Sequence, residues 1–298
     1  RINIPKPKFK NNWRNYSFTE NAKIIQRIKH AHIIVTNKTK LDKLTLKHAK
    51  NLELIAITAT GTNIIDLNYC KENMIKVCNL KDYASVSVAE HVFTLILILY
   101  KQIKGLEKDI QKNIWQKKRV FALLHRKIND LQGKSIGIIG KGSIGKQVSK
   151  IAKAFNMNVI FFSARNINHT KFKKFLTKND IISIHCPLEK NTLNLITIKE
   201  LKLMKKSSII INTARGGIIN EKDLVAAISK KMIAGAGIDV ATTEPPKKNH
   251  PYYSINNKAN FIWTPHTAWA SDETLNRAVK QLIDNINSFY LNRPKNLV

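Results

Sequence analysis

Cysteine is scarce in this chain of 298 residues. Cys70, Cys78 and Cys186 are odd in number and have no metal-like spacing, which argues against a disulfide framework or a zinc centre and suits a reducing cytoplasm. Long apolar runs are missing too. The longest, Leu95 to Tyr100, is far too short to span a bilayer, and Glu90 and His91 lie just upstream. We therefore expect a water-soluble protein without a membrane partner. Residue 1 is Arg, nothing resembles a signal peptide, and some of the natural start is expected to lie upstream. Acidic residues are few, 20 against 51 Lys and Arg, giving a formal charge of +31. That balance admits a nucleic-acid or anionic-surface binder. A lysine-rich background accounts for it better. Lys far outnumbers Arg, Asn and Ile abound as A/T-biased codons would give, and the Lys residues are spread along the whole chain. There is no RNP-like, zinc-finger or basic-zipper pattern, no internal repeat and no low-complexity tract. Nonspecific adhesion to polyanions at low salt is all that the charge implies.

What is present is an alternation of short apolar runs with segments of helical length, enough for two domains. Strands are expected at His32–Thr36, Leu54–Thr58, Ile75–Cys78, Ser135–Ile139, Val159–Phe162, Ile181–His185, Ser208–Asn212, Ile233–Asp239 and Asn260–Thr264. Helices are expected near Leu41–Ala49, Ile64–Glu72 and Ser271–Tyr290. Ser85–Ile103 is the longest helical candidate and is apolar nearly all round, as suits an interior. Gly105–Asp130 is polar, basic and studded with Trp115 and Phe121, and reads as a lead between domains or a dimer arm. The expected fold is α/β, with parallel sheets covered on both faces.

The chemistry gathers at strand ends. Gly140-Lys141-Gly142-Ser143-Ile144-Gly145 follows one strand and opens a helix with Val148, Ile151, Ala152 and Phe155 on one face. Strand, glycine turn and helix place free N–H groups where two phosphates can sit. The acidic residue expected about 20 positions later, to bind ribose hydroxyls, is replaced by Ser163, with Arg165 close behind. Ser and Arg would accept a 2′-phosphate that a carboxylate would repel, which favours NADP(H) over NAD(H). If Arg165 is only a solvated cation, either cofactor fits. The Ala59–Asn63 turn, with Thr60, Gly61 and Thr62, could hold a substrate carboxylate on its backbone N–H groups. Arg215, Glu244 and His266 each end a strand-like run. Alone, each reads as a surface cation, a turn residue or a cap. Together they supply a planar fork for a carboxylate, a proton donor, and a carboxylate to hold and tune it.

At these residues the chain resembles the D-isomer-specific 2-hydroxyacid dehydrogenase family over nearly its whole length. The resemblance rests on the glycine motif and on Ser87-Val88-Ala89-Glu90-His91, His185-Cys186-Pro187-Leu188, Asn212-Thr213-Ala214-Arg215-Gly216-Gly217, Gly237-Ile238-Asp239-Val240 and Pro265-His266. The run Pro265-His266-Thr267-Ala268-Trp269-Ala270, with Ala59–Asn63, is similar to the glycerate dehydrogenase (hydroxypyruvate reductase) branch. The resemblance implies two Rossmann-like or flavodoxin-like domains, the cofactor domain (100–270) inserted into a catalytic domain (1–99 and 271–298), and a homodimer. It implies reversible hydride transfer at C2 of a 2-hydroxy or 2-oxo acid after domain closure. Arg215 and Thr60–Thr62 would bind substrate, His266 would be the acid/base and Glu244 its partner, and no metal would be used. Asp239 would orient the nicotinamide carboxamide, while Cys186, Pro187, Thr192, Thr213 and Ala214 would line the cofactor site. A non-catalytic NAD-sensing protein of the same fold, or a formate or phosphite dehydrogenase, would keep much of this pattern. A nucleic-acid binder would need sequence-selective, salt-resistant binding.

Overall fold

Among the described residues, 4–298, nine strands form two sheets, and every strand pair within them is parallel. In this computed structural model the chain divides into two units. Residues up to Tyr83 join Ser271–Val298, and Ala84–Ala270 form the second unit. Chain order begins α1 (Ile24–Ile28), β1 (Ile33–Thr36), α2 (Lys43–Leu46), β2 (Leu54–Ile57), α3 (Leu67–Glu72) and β3 (Lys76–Cys78). Three helices follow, α4 (Ser85–Tyr100), α5 (Ile103–Gln111) and α6 (Ile114–Lys118). Then come β4 (Ser135–Ile139), α7 (Ser143–Ala154), β5 (Asn158–Phe162), α8 (His169–Lys178) and β6 (Ile181–Ile184). The chain ends with α9 (Ile198–Leu203), β7 (Ile209–Asn212), α10 (Glu221–Ser229), β8 (Gly235–Ile238), β9 (Phe261–Trp263) and α11 (Asp272–Tyr290). Each strand-like run of the sequence is a strand, to within two residues at either end.

In the first unit the sheet order is β1-β2-β3. Successive side chains of β2 point to opposite faces. Ile55 and Ile57 join α1–α3 in one core, while Leu54 and Ala56 meet Leu282 and Ile286 of α11 in another. α11 returns to this unit because its apolar stripe covers that second face.

The second sheet runs β5-β4-β6-β7-β8-β9. Strand order reverses between β4 and β6, and in open α/β sheets ligands bind beyond the carboxyl ends of strands at such a point. Ile182, Ile184 and Ile210 pack with Phe175, Leu176, Leu201 and Leu224 on one face. Ile136, Ile138, Ile209 and Ile211 pack with Val92, Leu95, Ile96, Leu99 and Val148 on the other.

The helices depart further from expectation. α4 ends at Tyr100, where Gln102 turns left-handed, and not at Ile103. It belongs to the second unit, so the expected boundary at residue 99/100 shifts to 83/84. Its apolar sides are spent against β7, β8 and α7. The stretch expected as a polar lead contains α5 and α6. α2 and α3 start later than expected because Asp42 and Asp66 cap them, accepting from the N–H of Thr45 and Tyr69. No single helix among the described residues is long and apolar enough to cross a membrane.

Candidate active site

The three glycines after β4 do different things. Gly140 turns at φ +106°, and a Cβ there would stand 2.6 Å from the His185 carbonyl oxygen. A Cβ on Gly145 would be driven into the Gly140 carbonyl. Gly142, the N-cap of α7, has nothing within 4 Å of a would-be Cβ, and no side chain caps the helix. The uncapped N–H groups of Ser143, Ile144 and Gly145 therefore open onto space beside the switch point. An anionic diphosphate fits such a cradle.

Ser163 and Arg165 lie exposed just past β5, with the Arg165 N–H donating to Ser163 Oγ at 3.4 Å. Beside them is a cavity of about 470 Å³ whose lining includes Ser163, Asn166, Lys171, Lys174 and Lys178, with no acidic residue. The lysines were missed in the sequence, although their spacing on α8 puts them on one helix face.

The loop after β6 carries Cys186, Pro187 and Thr192. Cys186 is buried and its thiol is pushed up to about 11 by burial, so it is no nucleophile. Thr192, expected at the cofactor, is only 1% exposed. Its hydroxyl donates to the Pro187 carbonyl at 2.7 Å and accepts from the Glu189 N–H at 2.7 Å. It therefore shapes the loop from within. Past β7, Ala214 donates its N–H to Asn212 Oδ1, whereas the enclosed Thr213 Oγ1 has no hydrogen-bond partner among the described residues. An orphaned buried hydroxyl costs about 1–3 kcal/mol, which a bound polar ligand would recover.

His266 and Glu244 meet. His266 Nδ1 lies 2.5 Å from Glu244 Oε2, and Glu244 Oε1 accepts from the Ala241 N–H at 3.0 Å. His266 holds a left-handed backbone at φ +54°, unusual for a residue with a Cβ. The pair lines a cavity of about 510 Å³ with Pro245, Pro246, Tyr253 and Trp263. Arg215 is exposed on the neighbouring loop, and its Nη1 donates to the Ala214 carbonyl at 2.7 Å. The two loops touch, since Gly216 is pressed directly on the backbone of Ala241 and Thr242.

Asp239, expected at the nicotinamide carboxamide, has partners within the chain. Its side chain is fully enclosed, and its oxygens accept from Thr264 Oγ1 (2.5 Å) and from the N–H groups of Thr267 and Ala268 (2.9 Å each). Its backbone oxygen accepts from the His266 N–H at 2.8 Å. Asp239 is also among the residues that line the cavity at His266 and Glu244. It clamps the His266 loop. A second support, Glu221, went unnoticed in the sequence. It accepts from the Thr242 N–H at 2.7 Å and lies 3.0 Å from His250 Nε2. Its place in the first turn of α10 marks it only as a helix-start acid. Thr60, Gly61 and Thr62 belong to the first unit, past β2. There Asn79 Nδ2 donates to the Thr60 carbonyl at 2.7 Å and the Leu80 N–H to Ala59 at 3.1 Å.

A parallel sheet with a glycine cradle at its switch point, and a carboxylate-held imidazole further along the same edge, defines a dinucleotide-dependent oxidoreductase. Residues 93–268 match the family model described as D-isomer specific 2-hydroxyacid dehydrogenase, NAD binding domain. A glycerate dehydrogenase of Methylorubrum extorquens is 37% identical, covering 97% of this chain and 93% of its own. A hydroxypyruvate reductase of Blautia hydrogenotrophica is 32% identical over 95% of this chain and 89% of its own. Among solved structures, an acyclic imino acid reductase in complex with NADPH and D-arginine has a TM-score of 0.82 and 30% identity. That match covers 99% of this chain and 98% of the other. This chain belongs to the D-isomer specific 2-hydroxyacid dehydrogenase family. It is an oxidoreductase of small 2-hydroxy and 2-oxo acids that uses a nicotinamide cofactor.

Proposed function

We propose that this chain reduces hydroxypyruvate and glyoxylate, and in reverse oxidises D-glycerate. The observation that carries this reading is the 2.5 Å contact between His266 Nδ1 and Glu244 Oε2. A carboxylate only accepts, so Nδ1 bears a hydrogen and Nε2 is the atom left to exchange a proton with substrate. The names of the two relatives above support this choice of substrate.

When bound, the nicotinamide cofactor would supply the hydride for C2 of the substrate. His266 Nε2 gives its proton to the carbonyl oxygen in the same step, and recovers one from the hydroxyl in the reverse direction. Glu244 keeps the ring oriented and stabilises its charged form. Arg215 grips the carboxylate and the carbonyl oxygen, since the bond to Ala214 uses only one of its five N–H donors. The Ala59–Asn63 backbone supplies the second carboxylate contact. Gly140–Gly145 would cradle the diphosphate, and Thr213, Ala214, Cys186 and Pro187 would line the site of the nicotinamide ring. We assign NADP(H) as the preferred cofactor, because Ser163, Arg165 and three lysines stand where no acid would repel a 2′-phosphate.

The protein works as a homodimer in this reading. Phe121 is 97% exposed and Leu124 86%, on the stretch after α6, an apolar arm suited to a second copy. Free, buried Cys70, Cys78 and Cys186 suit a reducing cytoplasm.

The test is a panel of hydroxypyruvate, glyoxylate and pyruvate with NADPH and NADH, following loss of the reduced cofactor. Turnover of the first two, faster with NADPH, is expected. His266→Gln should lower kcat by about 10²–10⁴-fold, with cofactor affinity retained. Absence of turnover by folded protein with any 2-oxo acid would refute the proposal.

A further inference from the structure

Two residues of the α4 motif, Ser87 and His91, have no part in the chemistry above, yet both reach the loop that carries His266. They are four apart and share a helix face. Ser87 Oγ donates to the Ala268 carbonyl at 2.9 Å. His91 Nε2 lies 3.0 Å from Thr264 Oγ1 and 3.7 Å from Asp239 Oδ1. One turn on, Leu95 seats this face on β8, where a Cβ on Gly237 would stand 2.9 Å from the Leu95 Cβ.

The hydrogens can be assigned. Thr264 has one hydroxyl hydrogen, and at 2.5 Å from a carboxylate it must point to Asp239. The Thr264 oxygen is then the acceptor for His91, so Nε2 carries a hydrogen. Burial lowers the affinity of His91 for a second proton more than Asp239 raises it, consistent with a neutral ring whose single hydrogen is on Nε2. Asp239 in turn accepts from Thr267 and Ala268, which with Thr264 bracket His266 in sequence.

We propose that His91 is a positioning residue: its Nε2–H holds Thr264 on Asp239, and that clamp keeps His266 in its left-handed conformation with Nδ1 on Glu244. A left-handed residue bearing a Cβ costs about 1–3 kcal/mol and persists only where its surroundings over-determine it. Two contacts from a rigid helix and four hydrogen bonds to Asp239 supply that constraint. The role rests on the proposed function of His266, but it has a readout of its own.

His91→Leu removes the donor, whereas His91→Gln places an amide N–H near the same point. His91→Leu should lower kcat by about 10–100-fold, the penalty of a small misplacement of a reacting group. KM for the 2-oxo acid should change by less than about threefold, and NADPH affinity by fluorescence titration should hold. His91→Gln should restore most of kcat. Thr264→Val should mimic His91→Leu, and the double variant should be no worse than the worse single one. In ¹⁵N-histidine-labelled protein, the downfield Nδ1–H resonance of His266, assigned by its loss in His266→Gln, should survive in His91→Gln and fade in His91→Leu. Full kcat in His91→Leu, equal damage in both His91 variants, or additive losses in the double variant would overturn the proposal. If the unaltered protein reduces no 2-oxo acid, the functional reading falls, and the resonance alone decides the positioning role. Its persistence in His91→Leu would refute that role.

Discussion

Gly142 and Gly145 are both one methyl group away from alanine, but the two substitutions have different consequences. Gly142 has φ −73° and ψ −172°, extended backbone that any residue adopts, and the space around it is open. Gly142→Ala should fold with stability changed by no more than ~0.5 kcal/mol. Its new methyl would occupy the approach of the diphosphate, so dinucleotide affinity should fall by about tenfold or more. Gly145→Ala instead forces a methyl into the Gly140 carbonyl, with or without ligand, and should cost ~1–3 kcal/mol by urea unfolding. Measuring the dinucleotide Kd and the urea midpoint for both variants separates the cradle from the packing. Equal loss of cofactor binding without any difference in stability would contradict these roles.

Among the elements, the β8–β9 connection bears most directly on the site, because Asp239 ends one strand and holds the loop after the other. In Asp239→Asn an amide N–H must face either a backbone N–H or the Thr264 hydroxyl. We expect a loss of ~1–3 kcal/mol by urea unfolding and a fall in kcat, while the NADPH Kd moves by less than about threefold. If the Kd rises steeply and stability is unchanged, the carboxylate serves the cofactor and not the loop. The sequence alone could not reveal this clamp. It could show that an acid ends a strand, but whether that acid points out to a ligand or in to its own chain depends on contacts 25 and more residues away. The pairing of Glu244 with His266 was legible through the resemblance, and the strands through their Ile-rich runs, since burial on both faces leaves an unmistakable pattern. α5 and α6 were not. Charge and Lys masked the spacing of Ile103, Leu106 and Ile110, a helical stripe that the composition of the segment hid. The later starts of α2 and α3 are encoded in Asp42 and Asp66, whose side chains cap those helices.

For the molecule as a whole, the charge of +31 sets a background of self-repulsion, but two partly buried histidines should govern its response to mild acid. Burial holds His185, hydrogen-bonded to Ser183 Oγ at 2.7 Å, down to about 3, and also lowers His91. Unfolded histidines take up a proton near 6.5, so between there and the lower folded value the unfolded chain binds more protons. Stability therefore falls as pH drops through that window, with a slope approaching ~1.4 kcal/mol per pH unit for His185, and His91 acts in the same direction. Carboxylates push in the same direction only later. Hydrogen bonds from Thr45 to Asp42, from Arg126 to Asp109 and from Lys101 to Asp130 hold these groups below the usual range, so their contribution is lost below about pH 4. Urea midpoints between pH 7 and 4.5 thus isolate the histidines. The slope should persist in 0.5 M salt, because it comes from desolvation, whereas repulsion among surface charges is screened within about a Debye length. His185→Asn should flatten it. A stability that stays level down to pH 4.5, or a slope that salt abolishes, would assign acid sensitivity to net charge and not to the two partly buried imidazoles.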